Sequence, residues 1–274
     1  MKFRMPQNRV VLPFAALALL AAAMPARVSA QFGPPPPAAK PADPRSIAPQ
    51  DLTGYWVAVV TEDWRFRMIT PDKGDYGGVP LTQEGHALAD AWDPAKDAAN
   101  GNECRAYGAA GLMRVPTRLH ITWQDDDTLR VDTDAGMQTR LLHFYGTPPQ
   151  SGPLQWQGYS VASWEGLPAG GMMRLPTTLL GPGGAPRPAS EGYLKVITTR
   201  MRPGYLRKNG VPYSSNAILE EYFDSFKEAN GDTWLVVTAI VTDPHNLFQP
   251  FITSDQFKKL PDATGWNPTP CEAK

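Results

Sequence analysis

The chain has 274 residues, with 26 Lys or Arg against 27 Asp or Glu, and its formal net charge is −1. This near balance, without a run of basic residues, disfavours nucleic-acid binding. The length suits one large all-β domain or two small ones, and it allows a core that buries most of the apolar surface.

Residues 1–30 have the three parts of a secretory signal peptide. Basic residues near the start are followed by an apolar run over residues 10–24 and by the small-residue cleavage site Val28-Ser29-Ala30. The apolar run is shorter than the about 20 residues that a membrane span needs. We therefore expect a mature chain from Gln31 with 22 basic and 27 acidic residues, once the four basic residues of the leader are removed. No transmembrane segment is expected after this removal, and the predicted location is periplasmic or secreted.

Residues 31–50 form a Pro-rich stretch, with seven prolines among residues 31–49. Such a composition predicts an extended, semi-rigid linker of polyproline character. The folded domain is predicted over residues 51–274.

The two cysteines, Cys104 and Cys271, both lie in the exported part of the chain. An even count in an oxidising compartment favours a disulfide bond, whereas the alternative is two unpaired thiols. The sequence has no Cys-x-x-Cys or His-x-x-x-His spacing, and so it predicts no metal site and no cofactor.

The first half of the predicted domain alternates strands with turns and contains one helix. A strand is predicted over residues 51–60, and the alternating residues 64–69 are interpreted as its continuation after a bend. Residues 82–92 have helical spacing, with Thr82 as a fair N-cap and Asp93-Pro94 as the stop. Strands follow at residues 117–123, 129–133 and 137–145, and three consecutive acids at 125–127 are interpreted as a hairpin turn rather than a calcium loop.

The second half continues this pattern, with strands at residues 156–164 and 192–201. Between them lies a Gly- and Pro-rich stretch, residues 166–190, which either covers a pocket mouth or is an insertion without regular structure. The strongest strand signal is residues 234–242, preceded by an Asn-Gly turn, which predicts a hairpin over residues 218–242. Residues 218–226 also fit a helical face, but the turn and the strand that follow them favour a strand.

Strands at about ten-residue spacing with a single clear helix indicate an all-β sandwich or barrel of about eight to ten strands. Four motifs make the pattern more specific: residues 51–56, 156–166, 202–214 and 266–271. In these motifs the chain resembles a family of exported bacterial proteins, mostly uncharacterised, with a lipocalin-like antiparallel β-barrel. The resemblance implies that fold, and it implies a small apolar or aromatic molecule held in the mouth of the barrel, with lyase, hydratase or isomerase activity in some relatives. The stretch at 167–190 departs from the family pattern.

Candidate site residues concentrate in residues 202–216, where polar and aromatic side chains lie on a backbone rich in glycine and proline. In the functional interpretation, the tyrosines donate to a developing oxyanion and the arginines bind an acidic group. The alternative is structural, with Arg202 and Arg207 paired to Glu220, Glu221 or Asp224. The predicted ligand-binding residues are Arg202, Arg207, Asn209, Trp164 and His245.

The predicted catalytic residues are Glu221, His120, Tyr205 and Tyr213. Under the strand assignment, Glu221 points inward and Glu220 outward, and an inward carboxyl group in an apolar barrel could act as general acid or base. His120 lies within a strand, where a lone histidine is more often structural, although its titration range suits proton transfer.

Three functions remain open on the sequence alone. The first is a periplasmic barrel that binds a small apolar or aromatic molecule in its interior. The second is a cofactor-independent lyase, hydratase or isomerase on the same barrel. The third is an envelope interaction protein with the Pro-rich stretch as its spacer.

Overall fold

The computed structural model describes residues 43–166 and 192–273. The predicted signal peptide, most of the Pro-rich linker and nearly all of the 166–190 stretch lie outside the described residues. Within these residues no helix is long and apolar enough to cross a membrane.

Nine strands form a closed barrel, in the order β1-β11-β10-β9-β6-β5-β4-β3-β2. They are Gly54–Val59 (β1), Arg118–Trp123 (β2), Thr128–Thr133 (β3), Thr139–His143 (β4), Tyr159–Gly166 (β5), Gly192–Thr199 (β6), Ile218–Lys227 (β9), Thr233–Thr242 (β10) and Phe251–Leu260 (β11). Two more strands, Gly204–Arg207 (β7) and Val211–Tyr213 (β8), pair outside the barrel. The prediction of an all-β barrel is confirmed.

One pair of neighbouring strands departs from the predicted antiparallel pattern. β4 and β5 run parallel, with Leu142 opposite Ser160. A parallel pair needs a long connection that returns the chain to the starting end, and residues 144–158 provide one.

The described part of the chain has four short α-helices and a 3₁₀ helix where the sequence predicted one helix. They are Trp64–Arg67 (α1), Gln83–Asp90 (α2), Pro94–Ala99 (α3), Glu103–Tyr107 (3₁₀) and Ala109–Leu112 (α4). The predicted helix is α2, which begins at its N-cap Thr82, whose side chain accepts from the N–H of Gly85. The others have four to six residues, which is too short to show helical spacing in the sequence.

The strand predicted over residues 64–69 was wrong. Asp63 adopts a left-handed backbone with φ 51°, and α1 follows it directly. This helix places Arg67, which is 2% exposed, against Asp255 of β11. A segment whose alternation resembles a strand is therefore a short helix, and it carries one member of a buried tertiary ion pair.

The predicted hairpin is confirmed, and residues 218–226 are a strand. β9 pairs with β10 on one side and with β6 on the other. Leu219 and Phe223 are buried inside the barrel, whereas Ile218 and Phe226 are exposed on its outer face. The turn closes through Glu228 N–H to the Asp232 carbonyl, with Gly231 at φ +90°.

Three connections meet at one end of the barrel and form what we call the cap: residues 60–117, 200–217 and 243–250. All three join strand ends on the same side of the antiparallel pairs β1/β11, β10/β11 and β6/β9. They contact one another, for example through the bridge between Leu81 and Leu247. Every α-helix of the described residues belongs to the cap.

Side chains fill the middle of the barrel. Trp56, Leu119, Leu142, Leu235 and Phe257 are examples from five different strands, and each is fully buried in one hydrophobic cluster. Because inward residues alternate along each strand, this cluster follows from the period-2 pattern of the sequence.

Two charged pairs lie among these apolar residues. Glu221 points inward, as predicted, and it accepts two hydrogen bonds from Arg140, one of them 2.9 Å long from Nη1 to Oε1. The second pair joins Arg67 to Asp255, with 3.2 Å between Nη2 and Oδ1. Desolvation raises the pKa of Asp255 to about 6, against the opposing charges of Arg67 and Arg114.

We expect this raised pKa to appear in the pH dependence of stability. In the unfolded chain this carboxyl group has its ordinary pKa of 3.8, which is lower than its pKa in the folded protein. The stabilisation that Asp255 contributes to the folded state is therefore fully present below pH 3.8 and is lost as the pH rises towards 6. The free energy of unfolding of the wild type, relative to Asp255→Asn, should therefore fall by roughly 3 kcal/mol between pH 4 and pH 7. Urea titrations of both proteins across this range measure the difference, and parallel pH profiles would contradict it.

The C-terminal tail returns along the outside of the barrel to the cap. Trp266 lies edge-on to Tyr55 and His120, and Thr269 N–H donates to the Asp134 carbonyl. The tail ends in the predicted disulfide bond between Cys104 and Cys271, whose Cα atoms are 5.1 Å apart.

Candidate functional site

A cleft of about 580 Å³ opens between the helices and the β7–β8 hairpin of the cap. Its lining side chains come from residues 84–105, 203–205, 212–216 and 245–246. It is larger than the pockets of 210 and 340 Å³ elsewhere on the barrel. Pockets of 300–1,000 Å³ are typical of small-molecule sites, and this cleft is our candidate functional site.

Three side chains at the base of the cleft form one hydrogen-bonded unit. Buried Asp97, on α3, accepts from the hydroxyl of Tyr205 at 2.6 Å and from Arg105 Nη1 at 2.8 Å. The guanidinium of Arg105 also lies over the Tyr205 ring, 4.6 Å from its centroid. Asp93 begins this helix, since its side chain accepts from Lys96 N–H, and Pro94 follows at the first helical position.

Burial, and next the hydrogen bond to Asp97, raises the pKa of Tyr205 above its usual range. Burial raises the pKa of Tyr213 in the same way. Both phenols therefore stay protonated at neutral pH, and each can donate a hydrogen bond.

Tyr213 contributes a buried ring, which is 1% exposed. Its hydroxyl makes no hydrogen bond to any described residue. Gly108 and Gly204 leave room for it, because a Cβ at either position would stand 2.1 or 2.5 Å from the oxygen. The oxygen itself is buried, so Tyr213 presents its ring and not its hydroxyl to the cleft. A buried phenol without a partner is costly to stability.

Buried Asp243 organises the rim of the cleft. Its carboxylate accepts from Ser214 N–H at 2.6 Å, Ser214 Oγ at 2.8 Å and Asn246 Nδ2 at 3.0 Å. The backbone N–H of His245 donates to the same carboxylate, at 3.2 Å. The exposed imidazole of His245 lies 2.9 Å from Asn216 Nδ2. One carboxylate thus holds the β8 end and the β10–β11 connection together.

Comparisons with protein-family models, with curated proteins and with solved structures found no match. The site is accordingly interpreted from its own chemistry. In the part of the chain that the structure describes, no group of three or more His, Cys, Asp or Glu side chains is placed to hold a metal ion.

The structure brings three of the predicted site residues together in the cleft: Tyr205, Tyr213 and His245. Arg202 is not among the residues that line the cleft. It donates to Asn102 Oδ1 at 3.3 Å and lies 3.9 Å from the centroid of the Trp156 ring.

Two other predicted ligand-binding residues, Arg207 and Asn209, lie outside the cleft lining. Arg207 Nη1 donates to the Gly77 carbonyl at 2.7 Å. Asn209 Nδ2 donates to the carbonyls of Asp72 and Asp75, each at 3.0 Å. The alternative interpretation, in which Arg202 and Arg207 pair with acids of β9, is not what the structure shows. Arg202 contacts Asn102 and Arg207 contacts Asp63. On β9, Glu221 pairs with Arg140 and Glu220 with Lys195.

The remaining three predicted residues are far from the cleft in the fold. Glu221 is enclosed in the barrel with Arg140. His120 is on the outer face, stacked on Tyr55 at 4.1 Å between ring centroids. Trp164 is at the end of the barrel opposite the cap, where its indole N–H donates to the Pro44 carbonyl at 2.8 Å. The predicted set Glu221, His120, Tyr205 and Tyr213 therefore does not converge on one cavity.

Sequence reasoning did not identify Trp92, Asp97, Arg105 and Asp243 as site residues. Two features of the sequence point to two of these residues, Asp97 and Arg105. Asp93-Pro94 is a helix start as well as a helix stop, and this places Asp97 on the first turn of α3. Arg105 directly follows Cys104, which the disulfide holds in place.

Gly210 packs closely against Trp92, which lines the cleft. A Cβ at Gly210, where φ is +82°, would stand 2.3 Å from Cβ of Trp92. Gly231 has a similar φ of +90° and no atom within 4 Å of such a Cβ. We expect Gly210→Ala to cost about 1–3 kcal/mol more unfolding free energy than Gly231→Ala, because both variants carry the backbone strain but only the first overpacks. Chemical denaturation of the two variants measures this, and equal losses would contradict it.

Proposed function

We propose that the protein binds a small, neutral aromatic or apolar molecule in the cap cleft. The observation that carries this proposal is the meeting of Trp92, Tyr205 and Tyr213 in one cleft of about 580 Å³. Aromatic walls with a few oriented polar groups are the usual composition of small-molecule sites. We place the ligand at the capped end because side chains occupy the middle of the barrel.

The charges along the cleft support a neutral ligand. Carboxylates of Glu84, Asp93 and Asp97 stand against the cations of Lys96 and Arg105. Asp97 and Arg105 neutralise each other at 2.8 Å. The other three charged side chains, Glu84, Asp93 and Lys96, are exposed, so water and salt screen the one carboxylate left in excess. An acidic or basic ligand would thus gain little net attraction.

Ligand binding should quench tryptophan fluorescence and raise the unfolding temperature. We would screen neutral aromatic and apolar compounds against the wild type, Trp92→Phe and Trp164→Phe. The ligand should no longer quench the fluorescence of Trp92→Phe. It should still quench the fluorescence of Trp164→Phe, which changes a tryptophan at the other end of the barrel. If no compound quenches or stabilises the wild type, or if only Trp164→Phe abolishes the signal, the proposal fails.

The Tyr213 hydroxyl can be tested separately. Tyr213→Phe removes an oxygen that has no partner in the described residues, so stability should be unchanged or slightly higher. Affinity for a cleft ligand should change little, because the ring is kept and the oxygen that is removed is buried. Urea denaturation and ligand titration of the variant measure both quantities, and a loss of more than about 1 kcal/mol in unfolding free energy would contradict the prediction.

The enzymatic alternative, a cofactor-independent lyase, hydratase or isomerase, now depends on Tyr205 with Asp97 and on His245. Their presence in the cleft favours it, but Glu221 and His120 lie elsewhere. Both cleft phenols are weak acids and donate hydrogen bonds instead of accepting protons. A ligand identified by the fluorescence screen can be incubated with the wild type and with His245→Ala and followed by NMR. Product signals that appear with the wild type and not with the variant would show turnover, whereas an unchanged ligand spectrum would show binding alone.

The location is proposed to be periplasmic or secreted, and the chain is proposed to belong to the exported lipocalin-like family. The support is the disulfide bond, which persists in oxidising compartments, and the closed barrel.

A further inference from the structure

Three arginines are buried together between the cap and the barrel. Arg67 on α1, Arg114 after α4 and Arg207 on β7 are 2%, 7% and 4% exposed. All three line a small cavity of about 10 Å³ that is partly open to solvent, beside Phe66 and Leu206. A space of this size holds about one water-sized occupant.

The wall of this cavity carries only positive charge. Its ionisable lining residues are the three arginines and Lys208, without a carboxylate. The nearest acids lie behind the arginines: buried Asp255 contacts Arg67, while Asp63, with 42% of its side chain exposed, contacts Arg114 at 3.0 Å and Arg207 at 3.8 Å. Three buried guanidinium groups are thus set against one buried and one partly exposed carboxylate. One positive charge is left without a counter-charge, and a further anion would balance it.

The arginines also have unused hydrogen-bond donors. Arg67 Nε donates to the Arg114 carbonyl at 2.9 Å, but neither Nη1 nor Nη2 makes a hydrogen bond to a described residue. Arg207 donates through Nη1 to the Gly77 carbonyl, and its Nε has no partner in the described part of the chain. Arg67 Nη2 faces Asp255 in the ion pair, so Arg67 Nη1 and Arg207 Nε are the two buried nitrogens without a partner in the described residues. Buried guanidinium nitrogens are normally satisfied, and these two indicate an acceptor beside them.

We propose that this cavity is a binding site for a single halide-sized anion, chloride under ordinary conditions. The size selects the ligand class, since a space for about one water-sized occupant favours a monoatomic anion over the larger phosphate, sulfate and carboxylate groups. Burial lowers the pKa of Arg207 to about 10, with Arg114 as the next cause, so Arg207 remains charged at neutral pH. The bound anion would link Arg67 on α1, Arg114 after α4 and Arg207 on β7. Arg67 would in turn connect this group to Asp255 of the barrel.

The first test is unfolding of the full chain at constant ionic strength. Sodium gluconate, whose anion is too large for the cavity, is replaced stepwise by sodium chloride or bromide. We expect a saturable rise in unfolding temperature, equivalent to about a hundredfold increase in the folding equilibrium constant at 100 times the dissociation constant. Equal unfolding temperatures in chloride and gluconate would overturn the proposal.

The matched variants are Arg207→Gln and Arg130→Gln. Arg130 lies on the outer face of the barrel and pairs with Asp132. The chloride effect should disappear in Arg207→Gln and persist in Arg130→Gln, and a chloride effect that persists in both would overturn the site. If Arg207→Gln does not fold, a bromide-soaked crystal of the wild type decides the question. Anomalous density within hydrogen-bond distance of Arg67 and Arg207 supports the site, and water alone in the cavity refutes it.

Discussion

Replacing Glu221 by Gln should lower the free energy of unfolding by about 3–5 kcal/mol. Glu221 and Arg140 are each fully buried, and they meet through two charge-assisted hydrogen bonds inside the barrel. The neutral amide would leave the guanidinium of Arg140 charged and without a counter-ion in an apolar core. Urea denaturation followed by circular dichroism measures the loss.

Two comparisons make this result specific. Glu220→Gln, one residue away, breaks a pair with Lys195 whose side chains are 32% and 23% exposed, and it should cost less than about 1 kcal/mol. The double variant Arg140→Met/Glu221→Leu should recover most of the loss, because it removes both charges and keeps similar volume. A single-variant loss no larger than that of Glu220→Gln would show that the buried pair is not needed for the barrel.

Removing the disulfide should have an effect of similar size. Cys104 and Cys271 close a loop with a sequence separation of 167 residues. In the chain-entropy model a loop of this length contributes roughly 5 kcal/mol, and losses of 2–5 kcal/mol are typical. We expect the variant with both cysteines changed to Ser to unfold at markedly lower urea concentration than the oxidised wild type.

The reduced wild type is the control for this variant. Both should have the same stability, since each lacks the cross-link but keeps the residues around it. The variant should also bind cleft ligands more weakly, because Arg105 follows Cys104 in the 3₁₀ helix. If the oxidised wild type and the variant with both cysteines changed to Ser had equal stability, the prediction would be contradicted.

The strands of the barrel could be predicted because burial imposes a period of two on them. Leu235, Val237, Ala239 and Val241 alternate along β10, and the Asn-Gly turn before it determines the hairpin. The same alternation correctly assigned Glu221 to the interior once residues 218–227 were taken as a strand.

The partners of these inward residues could not be predicted. Arg140 lies 81 positions before Glu221, and only the closure of the barrel brings the two together. Arg67 is a similar case, because it meets Asp255 from a helix in a segment that alternates like a strand. Local pattern carries no information about which distant charge a side chain will meet.

The cleft shows the same division. The sequence by itself determined that residues 202–216 combine tyrosines and polar groups on a backbone rich in glycine and proline, and it favoured the pairing of Cys104 with Cys271. Only the tertiary structure decided that Tyr205 and Tyr213 face a cleft with Asp97 and Arg105, while Arg207 and Asn209 turn the other way. The physical reason is that propensity and periodicity are local, whereas a site is formed by connections that meet only when nine strands close into a barrel.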